Sequence, residues 1–318
     1  MVKIDAPFPW FGGKRKSASL VWERFGDVVN YVEPFAGSMA VLLQRPSSPG
    51  IETVNDKDGF VANFWRAVQH DPEQTASFAD WPVNENDLHA RHSWLLTQRD
   101  TLVPKLEGDP DFYDCKIAGW WAWGVSCWIG SGFCSGEGPW VVDENRQRVH
   151  LRGAQGVNRK RVHLRSAVGG QGVHRPRADL TEWFFNLSER LRHVRVCCGD
   201  WTRVLGPSPT FQLGLTGVFL DPPYSLDERA DLYVEDVEGI AIKVREWAIE
   251  NGSNPLMRIA LCGYESEHAM PEDWQVVAWK ANGGYGLQGE GRGRDNRERE
   301  RIWFSPPCLT VRQEVMEL

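Results

Sequence analysis

The sequence predicts an α/β fold built on a mostly parallel sheet with an inserted domain, and three observations carry the prediction. Short β-rich apolar runs recur along the chain, most of them followed by a stretch with helical spacing. One run, Gly217-Val218-Phe219-Leu220, stops at Asp221-Pro222-Pro223-Tyr224. Neither proline can donate to a ladder and each fixes its own φ, so the strand must end there. This presents the Asp221 carboxylate and the Tyr224 ring at the carboxyl edge of a sheet, where open α/β sheets bind ligands. Taken alone, the tetrapeptide also reads as an ordinary strand-to-turn sequence. Finally, the strand and helix alternation lapses between residues 71 and 179. Segments 1–70 and 180–318 are therefore expected to form one domain, with 71–179 inserted into it.

In chain order, Pro7 to Lys16 sets a Gly12-Gly13 turn between aromatic residues and cations, and Ser17 to Phe25 reads as a short helix. Val28 to Val32 is a strand running into Glu33-Pro34-Phe35-Ala36-Gly37-Ser38, with a helix expected over Met39 to Gln44. A strand, a small-residue turn and a helix bring backbone amides to a ligand. The next strand, Ile51 to Val54, ends in Asn55-Asp56 and precedes a helix over Phe60 to Gln69. Asp56 follows Gly37 by 19 residues, near the separation of about 20 at which doubly wound folds place an acid on a ribose. Considered alone, a helix N-cap is the plainer role for Asp56.

From Asp71 onward, acidic and loop-like residues lead to a Trp-rich buried helix over Tyr113 to Ile129 and a Gly/Ser-rich turn at Gly130 to Gly138. Asn145 to Ala178 then carries nine Lys or Arg, three His and no acid. It contains a repeat, Arg146-Gln-Arg-Val-His-Leu-Arg-Gly-Ala154, recurring 13 residues later as Arg159-Lys-Arg-Val-His-Leu-Arg-Ser-Ala167. Each copy alternates as a half-buried strand does, with cations on one face. A solvated charged hairpin is one reading. A cationic run without anions in an acidic protein favours a polyanion contact through Arg148, Arg152, Arg161 and Arg165.

Sheet-like order resumes with a helix over Trp183 to Leu191, a strand over Val194 to Cys198 and then Gly199-Asp200-Trp201. The Asp221 strand is followed by a helix over Tyr233 to Glu250 and a strand over Pro255 to Leu261. Trp274 to Trp279 and Arg301 to Phe304 read as a closing antiparallel pair around a Gly/Arg-rich loop from Gly283 to Arg299.

Composition sets limits. The chain has 318 residues, 42% of them hydrophobic, enough for a substantial core. Its formal charge of −7 supplies no global positive field, so any nucleic-acid contact must be local. Seven cysteines with no Cys-x-x-Cys pair suit neither a zinc site nor a disulfide framework, and reduced thiols are expected. With no long apolar run and no signal-peptide pattern, a cytoplasmic protein without metal or membrane partner is expected.

Taken in order, these pieces resemble the Dam-like (alpha-class) N6-adenine DNA methyltransferases. Trp10-Phe-Gly-Gly-Lys14 is similar to the family's N-terminal cofactor motif and Glu33-Pro-Phe-Ala-Gly37 to its first-strand glycine motif. Asn55-Asp56 is similar to the second-strand acid, and Asp221-Pro-Pro-Tyr224 to the catalytic signature. The resemblance covers about 1–70 and 180–305. It implies a Rossmann-like S-adenosylmethionine-dependent methyltransferase sheet with an inserted target-recognition domain at 71–179. It assigns Trp10, Lys14, Glu33, Phe35, Gly37, Asp56, Asp200, Trp201 and Asp221 to S-adenosylmethionine, and Asp221, Pro222 and Tyr224 to catalysis on a flipped-out adenine of double-stranded DNA. One departure stands out: Met39 occupies the place of the motif's second glycine.

The expected activity is site-specific adenine-N6 methylation, by a solitary enzyme without an obligate protein partner. Two other readings are a catalytically weak DNA-binding relic of the same fold and a methyltransferase acting on RNA or on another amine.

Overall fold

The computed structural model describes residues 4–10, 14–46, 50–128, 133–134, 140–142, 148–150, 177–224, 234–279 and 299–310. Among them the strands are β1 (Asn30–Glu33), β2 (Ile51–Asp56), β3 (Trp140–Val142), β4 (Arg148–His150), β5 (Val194–Cys198), β6 (Thr216–Leu220), β7 (Met257–Tyr264), β8 (Gln275–Ala278) and β9 (Glu300–Phe304). The helices are α1 (Ala18–Phe25), α2 (Gly59–His70), α3 (Pro72–Ala79), α4 (Glu85–Gly108), α5 (Cys115–Cys127), α6 (Arg177–Leu191) and α7 (Val234–Asn251). They fall into two compact units. One comprises Met1–Asp5, Gly12–Asp56 and His193–Leu318, the other Ala6–Phe11 and Lys57–Arg192.

The first unit holds a seven-stranded sheet in the order β5-β2-β1-β6-β7-β9-β8. The first five strands in this order run parallel, and β9 is antiparallel to both β7 and β8. Burial follows position. Every residue of the central strands β1 and β6 is buried, whereas the edge strand β8 alternates between intermediate and exposed. That contrast explains why the central strands read as apolar runs without alternation. Val32, Val218, Leu220, Ile259 and Leu261 of the sheet pack with Val244 and Ala248 of α7 and with Trp274 and Trp303. This is the Rossmann-like arrangement of a methyltransferase fold.

The turn after β1 differs from expectation. No α-helix forms over Met39 to Gln44; a single 3₁₀ turn spans Leu42–Gln44. Met39 has φ +52° and Gly37 φ +45°, both left-handed, so the chain enters this stretch outside the helical region. Arg45 then leaves it extended, and Pro46 disfavours helical φ/ψ at the residue before it. The guanidinium of Arg45 is buried, 3.1 Å from Glu52 and bonded to the Val28 carbonyl, which pins the end of the turn to β2.

In the second unit, the segment after Asp71 is helical rather than loop-like. The Asp71 side chain accepts from the Gln74 amide and Pro72 sits in the first turn of α3. Asn84 likewise caps α4, a 24-residue helix with Glu85 and Asp87 in its first turn and Pro104 inside it. The apolar face of α4 is weakly patterned, which is why the segment reads as loop-like in sequence. The tryptophan helix forms as α5. Phe8, Phe64, Trp65, Trp121 and Phe184 make an aromatic cluster in this unit, with Phe8 and Trp121 centroids 4.9 Å apart. The first repeat copy contributes β4, paired antiparallel with β3, and the second copy at 159–167 lies outside the described residues.

Met39 supplies a test of strain against burial. Its side chain is fully buried, so truncation to alanine should cost about 2–5 kcal/mol. Left-handed φ costs a non-glycine residue roughly 1–2 kcal/mol, which only glycine escapes. Burial outweighs strain, so both Met39→Ala and Met39→Gly are expected to be less stable than the parent. The Gly variant should nonetheless exceed the Ala variant by about 1 kcal/mol in urea denaturation, the reverse of the usual order. Equal or reversed stabilities would show that the turn is not strained.

Candidate active site

Strand order locates the site. β2 and β5 lie on one side of β1, while β6 and β7 lie on the other, so the connection reverses between β1 and β6. A crevice outside the carboxyl ends of the strands at such a reversal is where open α/β sheets bind ligands. Glu33 ends β1 there and Asp221 follows β6.

Asn55 and Asp56, at the end of β2, knit the surrounding loops together. The Gly37 amide donates to Asp56 Oδ2 at 2.8 Å, the Ala36 amide to the Asn55 carbonyl at 2.9 Å and the Gly199 amide to the Asp56 carbonyl at 3.0 Å. The buried Asn55 amide group donates to the carbonyls of Pro34 (3.1 Å) and Gly199 (3.0 Å). Asp58, rather than Asp56, caps α2 through the Phe60 amide. This removes the plainer role and leaves the Asp56 carboxylate bonded to the turn that contains Phe35 and Gly37.

The turn that follows β5 is built differently. Asp200 caps a 3₁₀ turn over Trp201–Val204 by accepting from the Thr202 amide at 3.0 Å. Trp201 is buried, with its ring stacked on Phe35 at 6.1 Å between centroids and 25° between planes. Phe35 and Trp201 thus meet as an aromatic pair between the two turns.

Lys14 and Asp221 form the electrostatic centre. Lys14 is 4% exposed, and its Nζ lies 3.1 Å from Asp221 Oδ1 and 3.7 Å from Glu300 Oε2. The Tyr224 hydroxyl also donates to Asp221 Oδ1, at 3.0 Å. Both contacts fall on one oxygen, Oδ1. Pro222 is buried, and the Tyr224 ring packs edge-on against Tyr264 at 4.7 Å with Lys14 Nζ 5.2 Å from its centroid.

The titration of these groups is perturbed, as it often is at functional sites. Burial acts to lower the Lys14 pKa, but the neighbouring anions, Asp221 foremost, outweigh it and the net shift is upward. Burial pushes Glu33 up to about 8; bonds from Tyr31 and from the Leu42 amide oppose this, and Asp221 and Asp56 add to it. Glu300 is pushed up to about 7 by burial, against the pull of Lys14 and with a further push from Asp221.

Glu300 is the residue that sequence reasoning missed, falling between the expected loop and the expected strand. Its signal was present in the strand period: Glu300 stands two and four residues before Ile302 and Phe304, on the side that β9 buries. Trp10 falls in the second unit, packed against Phe8 (5.8 Å) and Trp121 (6.1 Å) and 36% exposed. The Arg148 side chain and all of Arg152, Arg161 and Arg165 lie outside the described residues. Among the described residues no cluster of His, Cys, Asp and Glu is arranged to hold a metal, and no helix is long and apolar enough to cross a membrane.

The seven-stranded, mostly parallel sheet and its reversal are consistent with a Rossmann-like methyltransferase fold. Residues 10–98 match the model of the D12 class N6 adenine-specific DNA methyltransferase family, consistent with a Dam-like adenine methyltransferase. This match indicates a DNA adenine methyltransferase enzyme, with DNA as its partner. It spans Trp10, Lys14, the Glu33–Gly37 turn and Asp56, and ends before Asp221. No curated protein significantly matches the chain.

Proposed function

We propose that the chain transfers the methyl group of S-adenosylmethionine to N6 of an adenine flipped out of double-stranded DNA, at a specific site. The observation that carries this reading is the anchored Asp221. Lys14 and Tyr224 engage Oδ1 at 3.1 and 3.0 Å and hold the carboxylate at the strand end. The second carboxylate oxygen and the Pro222 carbonyl are the acceptors for the two hydrogens of the target amine.

The residues fit a cationic cofactor. Glu33, Asp56 and Asp221 stand at the carboxyl edge, Glu300 lies beside Lys14, and Lys14 is the cation set among them. Asp56, oriented by the Gly37 amide, is the candidate for the ribose hydroxyls, and Trp201 with Phe35 for the adenine end of the cofactor. When bound, S-adenosylmethionine supplies an electrophilic methyl group on a sulfonium.

The residues of the chain then act on the substrate amine. The N6 lone pair is delocalised into the purine, which makes it a poor nucleophile. Hydrogen bonds from N6 to Asp221 and Pro222 favour a pyramidal amine whose lone pair is aimed outward. The surplus N6 proton leaves along the bond to Asp221. Tyr224 stacks on the extruded base, a contact worth about 1–3 kcal/mol, which offsets part of the few kcal/mol that flipping costs. Met39 adopts a left-handed φ of +52°, a conformation that glycine takes readily, which supports an active turn over a weak relic.

We further propose that the insert at 71–179 recognises DNA, gripping phosphates through Arg148, Arg152, Arg161 and Arg165. The basic, acid-free run from Asn145 to Ala178 supports this. Alanine at all four positions should weaken DNA binding and make the log affinity against log salt slope shallower by roughly 0.9 per lost contact. An unchanged slope would assign those cations to solvent.

For the reaction itself, Asp221→Ala should abolish methyl transfer to DNA while the protein stays folded. Asp56→Ala should chiefly weaken S-adenosylmethionine binding, read by calorimetry. Near-normal turnover in folded Asp221→Ala would remove the catalytic assignment, and unchanged affinity in Asp56→Ala would remove the ribose assignment.

A further inference from the structure

Lys14 serves two carboxylates. Its Nζ is at hydrogen-bond distance from Asp221 and at ion-pair distance, 3.7 Å, from Glu300, whose side chain is 8% exposed. Both carboxylates attract the ammonium at once, and Nζ has one position: at 3.1 Å from Asp221 and 3.7 Å from Glu300 it is held between them. Such attraction is strong in a buried setting, where screening is weak. The Oε2 atom of Glu300 has no hydrogen-bond partner among the described residues, and Lys14 is the cation facing it.

We propose that Glu300 is a positioning residue of methyl transfer: by sharing Lys14 with Asp221, its charge sets how freely Asp221 can hold the target amine. The proposal rests on the reading of Asp221 given above. With Glu300 ionised, Lys14 is drawn between two anions and Asp221 remains a strong acceptor for the N6 hydrogens. With Glu300 neutral, its pull on Nζ is lost, Lys14 settles closer to Asp221 and the negative potential around that carboxylate falls, which weakens its hold on the amine.

The surroundings of Glu300 are consistent with a charge that changes near neutrality. Lys14 and Asp221 face it, and Cys262 and Tyr264 of β7 and Tyr224 lie in the same cluster, with Tyr264 opposite Glu300 in register. Glu33, at the end of β1, acts on Asp221 and Cys262. Among the described residues, Arg301 next to Glu300 pairs with Glu265 at 2.8 Å and Arg299 lies over the Tyr264 ring. Burial pushes Glu300 up to about 7, against Lys14 and with Asp221.

The test compares the full-length parent with Glu300→Gln, Glu300→Asp and Glu33→Gln. At saturating S-adenosylmethionine and DNA, the parent kcat should rise through a limb near the pKa of about 7. Glu300→Gln should lose that limb and about tenfold in kcat, a change of about 1.4 kcal/mol in barrier, with KM for DNA little altered. Glu300→Asp should keep the limb and recover part of the rate. A limb that survives in Glu300→Gln, or that disappears in Glu33→Gln instead, overturns the proposal.

A second measurement needs neither donor nor DNA. A carboxyl group whose folded pKa lies above its unfolded value stabilises the fold only while protonated, and that contribution is lost as pH rises. The urea midpoint of the parent should therefore fall relative to Glu300→Gln between about pH 5 and pH 8. An equal gap at both pH values overturns the proposal even if no DNA proves to be a substrate. A parent that methylates no adenine, together with the expected midpoint shift, refutes the functional reading while leaving the charge change of Glu300 established.

Discussion

A buried ammonium between carboxylates is the constraint on which the site depends. Removing Lys14 and Asp221 from water costs several kcal/mol per ion, and a buried pair seldom returns more than an apolar replacement would. Stability alone gives little reason for Lys14 to sit 4% exposed against Asp221 and Glu300. The proposed function does: Lys14 and Tyr224 both engage Oδ1 of the strand-end carboxylate, which would hold it in one orientation for a substrate. The carboxyl edge of the sheet is thereby a prepared charge distribution before any substrate arrives.

The sheet supplies the geometry that makes this economical in residues. Five parallel strands end at one edge, and the strand order reverses between β1 and β6, the place where open α/β sheets bind ligands. Asn55 and Asp56 tie the glycine turn to the turn after β5 through both side chains and both carbonyls. The left-handed pair Gly37 and Met39 lets the chain fold back on β2 without a helix. The Gly37 amide in this turn donates to the Asp56 carboxylate.

Much of this was legible in the residues. The sheet strands were readable because parallel strands buried on both faces require apolar runs, as in Val218-Phe219-Leu220, and because prolines end them. The end of β6 was readable because two prolines follow Asp221, and that stop is what presents Asp221 and Tyr224 as candidates. The absent helix after β1 was not, since Met39 to Gln44 has good helix formers and the left-handed turn is a tertiary requirement. Helices α3 and α4 were hidden because their caps at Asp71 and Asn84 look like loop composition. Glu300 was hidden because a buried acid within a run of charges resembles a solvated one until its strand neighbours Ile302 and Phe304 are seen to face inward.

The central claim is that this chain methylates adenine in DNA. The most direct measurement is mass spectrometry of nucleosides from DNA of a host lacking adenine methylation, after expression of the protein. The account predicts that N6-methyldeoxyadenosine appears with the parent chain and is absent with the empty vector. Soluble, folded protein accumulating in cells whose DNA contains no N6-methyldeoxyadenosine would contradict it.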